Sequence, residues 1–70
     1  MTTAQVINAA EKAYRRSGNA DGNYSFAIAA TVTTMARNGK ISRADAVAAI
    51  RSMTLPATVA EREIAAIRAE

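Results

Sequence analysis

Apolar positions along the chain recur mostly at helical spacing and are interrupted by three clear breaks. Val6, Ile7, Ala10, Ala13 and Tyr14 fall on one face of a helix, and Thr2 stands three residues before Gln5, the spacing of a capping box. The pattern predicts a first helix over about Ala4 to Arg16. Glu11 sits four residues ahead of Arg15, and Arg15 and Arg16 lie where the helix dipole is negative. Gly18 then supplies a left-handed cap, and the turn-forming run Ser17 to Asn23 predicts a loop.

From Tyr24 to Ala36 two periods compete. Ile28, Ala29, Val32, Met35 and Ala36 form a helical stripe, whereas Tyr24, Phe26, Ile28, Ala30 and Val32 alternate as a strand would. The β-prone run Thr31-Val32-Thr33-Thr34 supports the strand. Such a strand would have no partner, because only Lys40 and Ile41 follow the Asn38-Gly39 turn before another helix begins. The expectation is therefore a helix over about Ser25 to Arg37, uncharged between Asp21 and Arg37 and so the most buried of the set.

Gly39 ends that helix, and Ser42 with Asp45 marks the start of a third, with Ile41 as a staple toward Ala46 and with Ala46, Val47, Ile50 and Met53 inward. Leu55-Pro56 stops it, since proline disfavours helix in the residue before it. Thr58 with Glu61 predicts a third capping box and a fourth helix, with Ala60, Ile64 and Ile67 inward. The fold expected is all-α, a small compact bundle of about four short helices forming one domain over residues 1–70.

Composition limits what such a bundle can be. Of 35 apolar residues in 70, 18 are alanine, so 17 larger side chains at most fill the core. A chain of this size buries only about 60% of its unfolded surface. Cysteine and histidine are absent, which removes the usual soft-metal ligands, the thiol nucleophile and the commonest general base. No enzyme, metal or cofactor is expected. Asn19 to Tyr24 imitates the middle of a calcium loop, but counting from Gly22 puts Ile28 where a bidentate Glu is required. The longest uncharged stretch, Gly22 to Ala36, is too short for a membrane span, and a cytoplasmic location is expected.

Charge is the one suggestive feature. Nine basic residues against six acidic give +3. Arg37, Lys40 and Arg43 fall around the turn between the second and third helices, beside the free N–H groups of a helix N-terminus. Arg15 and Arg16, with Lys12, form a second basic group. Phe26, on the side of its helix opposite Ile28, needs another element, a second chain or a partner to cover it. Arg37, Lys40, Arg43, Phe26, Arg15 and Arg16 are thus the candidate partner contacts.

Elimination leaves a non-catalytic binding protein, acting on another protein with an acidic surface as an accessory or inhibitor protein of a bacterium or phage. A helix-turn-helix regulator contacting nucleic acid is the alternative. Against it, the helix after Ser42 offers alanine and valine where base-reading amides are needed. A homo-oligomeric structural subunit, a homodimer in its simplest form, is the third expectation.

Overall fold

The computed structural model describes residues 1–18 and 24–69. Four helices occupy them: α1 (Thr3–Arg16), α2 (Tyr24–Arg37), α3 (Arg43–Ser52) and α4 (Ala57–Arg68). The Tyr24 to Ala36 stretch is helical, and the alternating pattern has no structural expression. The β-prone threonines are accommodated by folding their hydroxyls back onto the preceding turn. Thr31 Oγ1 donates to the Ala27 carbonyl at 2.8 Å and Thr34 Oγ1 to that of Ala30 at 3.0 Å. Without a partner strand, nothing opposes that arrangement. Residues 19–23, which hold most of the expected Ser17 to Asn23 loop and of the calcium-like run Asn19 to Tyr24, lie outside the described residues.

Helices α2 and α3 each pack against all three other helices, while α1 and α4 do not meet. The centre is therefore shared between two elements, where the sequence had suggested α2 alone. The buried residues are Val6 and Ala10 from α1, Ile28, Ala29, Val32 and Ala36 from α2, Ala46, Val47, Ala49 and Ile50 from α3, and Ile67 from α4; all but Ala49 fall on the predicted stripes. Ile41, in the α2–α3 turn, completes the set. Five of these twelve are alanine and the other seven are valine or isoleucine. A β-branched side chain in a helix has essentially one χ1 rotamer, so it gives up little freedom on burial and presents a fixed shape to its neighbours. Ile7, Tyr14, Met35, Met53, Leu55 and Ile64 pack around this centre half-buried. The Cα radius of gyration, 10.8 Å, matches the roughly 11 Å of a compact chain of this length.

One polar residue is buried among those described. Thr33 is 6% exposed, and its hydroxyl donates to Glu63 Oε1 at 2.9 Å, with the Ala29 carbonyl at 3.2 Å as alternative acceptor. This bond ties α2 to α4. Glu63, half-buried against α2, thereby satisfies the only polar side chain in the described core.

The caps explain where each element stops. Thr2 accepts from the Gln5 N–H at 3.1 Å while Gln5 Oε1 accepts from the Thr2 N–H at 2.8 Å, the full predicted box. At the end of α2, Gly39 has φ +76°, the Lys40 N–H donates to the Met35 carbonyl and the Gly39 N–H to that of Ala36. That pair of bonds is a Schellman motif, and it turns the chain into α3. Ser42 accepts from the Asp45 N–H at 3.1 Å as expected, but the reciprocal half of this box is missing. The Asp45 carboxylate turns instead to the Met1 ammonium at 3.1 Å. The box expected at Thr58 does not form either. Helix α4 begins at Ala57 with Pro56 as its N-cap and no side-chain cap bond. Proline supplies a preset φ and its carbonyl accepts from Val59 and Ala60, so the helix starts before Thr58 can cap it.

These caps should be separable by denaturation. A Cβ at position 39 would meet no atom within 4 Å, so Gly39→Ala pays only the backbone penalty of positive φ, about 1 kcal/mol. Ser42→Ala should cost about 0.5–2 kcal/mol. Thr58→Ala, lacking a cap bond to lose, should shift the urea midpoint by less than either; a loss as large as that of Ser42→Ala would restore the Thr58 cap.

Candidate nucleic-acid or protein interface

The candidate cations diverge once the chain is folded. Arg37, in the last turn of α2, donates from Nη1 to the Ala66 carbonyl at 2.8 Å, satisfying one of the carbonyls that the end of α4 leaves open. Its charge also lies at the negative end of that helix. Lys40 lines a groove of about 670 Å³ between α1 and α2, together with Tyr14, Thr31, Thr34, Met35 and Asn38. Arg43 belongs to a different surface. The three are close in sequence, but the Schellman turn reverses the chain between them and distributes them to different neighbours. Arg15 and Arg16 are exposed in the last turn of α1.

Phe26 is 37% exposed and Tyr24 47%, and two residues apart on α2 they point in different directions. Tyr24 is not isolated: its ring meets that of Tyr14 edge-on, with centroids 5.6 Å apart and planes at 78°. Edge-to-face contact is the favoured geometry for two such quadrupoles and joins α1 to the start of α2.

The arrangement that the sequence reading missed lies on α3 and α4. Arg43, Ala44, Val47, Ala48 and Arg51 of α3 line a shallow depression of about 410 Å³ whose far edge is Arg68 of α4. Arg43, Val47 and Arg51 are spaced at four residues and so run along one side of α3; Ala44 and Ala48 form the adjoining row. The floor is apolar and the edge carries three guanidinium groups. All three arginines are exposed, and among the described residues none has a hydrogen bond or ion pair. Arg51 and Arg68 occupy the last turns of their helices, where cations are electrostatically favoured. The Arg43–Arg51 spacing could have been read from the sequence, but the addition of Arg68 depends on how α4 returns beside α3.

The larger groove between α1 and α2 offers less chemistry. Its threonine hydroxyls are bonded to carbonyls of their own helix, and Ser17 Oγ donates to the Tyr14 carbonyl at 2.6 Å. Lys40 is the one charged group among its described lining residues. No group of three or more acidic residues that could hold a metal ion occurs among the described residues, and no described helix is long and apolar enough to cross a membrane. Compared with known proteins, the chain matches no family model, no curated protein and no solved structure.

The fold changes the ionisation of Asp45. The Met1 ammonium, as a hydrogen-bond donor, and then Ser42 hold its carboxyl below the ordinary value of 3.8. A depressed folded value means that the stability it contributes is complete above the unfolded value and is lost as pH falls through the folded one. An NMR titration of the Asp45 carboxyl should therefore have a midpoint below 3.8, and acetylating the terminal amine should raise it. An unchanged midpoint after acetylation would assign the shift to Ser42 instead.

Proposed function

We propose that this chain is a non-catalytic binding protein that docks an acidic surface of another protein through the arginine-edged face of α3 and α4. The observation that carries the reading is that Arg43, Arg51 and Arg68 edge one depression with an apolar floor and have no carboxylate partner among the described residues. Exposed arginines beside small apolar residues suit protein recognition, because the guanidinium forks bind carboxylates bidentately while the floor can be desolvated. Such a chain would act by blocking or bridging its partner, in the manner of an accessory or inhibitor protein.

The helix-turn-helix alternative places α3 against DNA. The residues α3 exposes are Arg43, Ala44, Ala48, Arg51 and Ser52, with no Asn or Gln to pair with adenine. Arginine could still contact guanine or phosphate, so nucleic acid is the competing outcome of the test.

The two kinds of arginine provide the comparison. The intact chain is titrated at about 150 mM salt with an acidic peptide and with a short DNA duplex, and amide shifts are followed by NMR. The acidic peptide should perturb the amides of residues 43–51 and 68. Arg51→Ala should weaken its binding about tenfold, or about 1.4 kcal/mol, with unfolding unchanged. Arg37→Ala should do the reverse, lowering stability by about 0.5–1 kcal/mol through loss of the Ala66 bond and leaving binding intact. Tighter binding of the duplex, with a salt slope of about −0.9 per contact that falls by one for each arginine removed, would overturn the reading in favour of the regulator.

A further inference from the structure

We infer that the element received by the α3–α4 depression is an amphipathic helix of the partner, carrying two carboxylates about seven residues apart on either side of a small apolar seam. This rests on the acidic-protein reading above and specifies the shape and spacing of what binds.

The inference starts from the spacing of the cations. Arg43 and Arg51 are eight residues apart on a helix that rises 1.5 Å per residue, so their Cα atoms are about 12 Å apart along the axis. Between them lie the side chains of Ala44, Val47 and Ala48, none larger than valine. A partner helix matches this in both respects. Its side chains at a seven-residue interval share a face and are about 10.5 Å apart, within the reach of two flexible arginines. Its seam residues between those carboxylates would sit over Ala44, Val47 and Ala48. The row Ala44–Ala48 is an i, i+4 groove able to take a ridge from an apposed helix, and alanine on its floor permits an axial separation near the short end of the usual 8–10 Å. Arg68 closes the depression from α4 and adds a third cation at one end.

Other occupants fit less well. A second copy of this chain docked face to face would place arginines against arginines, a like-charge contact that opposes association. In an asymmetric contact Asp45 is paired with the terminal ammonium and Glu63 is bonded to Thr33, and the other described carboxylates, Glu11 and Glu61, lie on α1 and α4, which do not meet, so they do not form a pair at helical spacing. A DNA backbone would satisfy the guanidinium groups but would leave the Ala44–Val47–Ala48 floor facing charged phosphates. A single contact along a ten-residue helix is smaller than the roughly 800 Å² per partner of a standard interface, so the isolated helix is expected to bind weakly and with salt dependence.

The test uses two designed alanine-rich peptides of about 18 residues, long enough to be helical in water. Both contain two glutamates and the same total composition. In one the glutamates are seven residues apart on a common face; in the other the second is moved to five residues from the first, about 140° away around the helix. Circular dichroism establishes that the two are equally helical. The seven-spaced peptide should bind the intact chain about tenfold more tightly than its isomer, with amide shifts confined to residues 43–51 and 68. Arg51→Ala should abolish the difference between them, and circular dichroism of the variant should be unchanged. Equal binding of both peptides at this face would overturn the helical register while leaving the acidic-surface reading standing. Binding of neither, or shifts that map to the α1–α2 groove, would overturn both.

Discussion

Everything in this fold depends on how closely its helices can approach. With at most 17 large apolar side chains in 70 residues, the chain cannot fill wide gaps between helices, so it narrows them. Ala10, Ala29, Ala46 and Ala49 are fully buried and Ala36 nearly so, on the three helices that make up most of the centre. Alanine at a crossing point costs no side-chain entropy on burial and allows the backbones to close up. The remaining volume is supplied by valine and isoleucine, whose single helical rotamers make their packing specific. The result is a centre in which α2 and α3 both touch every other helix, a high degree of contact for elements of fourteen and ten residues.

The same economy shapes the surface. Because α3 turns Ala46, Val47, Ala49 and Ile50 inward, its outer rows contain little but alanine and arginine. Two arginines at eight-residue spacing then face solvent across a small apolar floor, and the return of α4 brings Arg68 to the same depression. Three other charged residues have local work. Arg37 closes the end of α4, Glu63 answers the buried Thr33 hydroxyl, and Asp45 meets the terminal ammonium. Arg43, Arg51 and Arg68 have no such partner among the described residues, and their grouping around one depression is what gives the surface a direction.

How much of this could be read from the sequence follows the distance over which each feature is determined. The Thr2–Gln5 box and the Gly39 cap involve residues within one turn, and both form as the residue types imply. The Thr58 cap was misjudged because a stronger local signal, Pro56, starts α4 earlier. The half-formed box at Ser42 fails for a non-local reason, since Asp45 finds a cation 44 residues away in the chain. The basic cluster illustrates the same limit. Arg37, Lys40 and Arg43 look like one patch in sequence, but a left-handed glycine between them redirects the chain, and their surroundings are decided by α1, α3 and α4. Phe26 is more exposed than Ile28, as their opposite placement on a helix implies, but spacing alone does not say what Phe26 meets.

Close approach through alanine is tested most directly by enlarging one buried alanine and one exposed alanine with the same residue. Urea unfolding of Ala29→Leu and Ala48→Leu makes the comparison, since Ala29 is fully buried on α2 and Ala48 exposed on α3. If the helices pack at alanine-limited distances, Ala29→Leu should lose about 1–3 kcal/mol through overpacking. Ala48→Leu should stay within about 0.5 kcal/mol of the parent. Equal midpoints for the two variants would mean that the centre has room to spare, and would contradict the packing on which the rest of the structure depends.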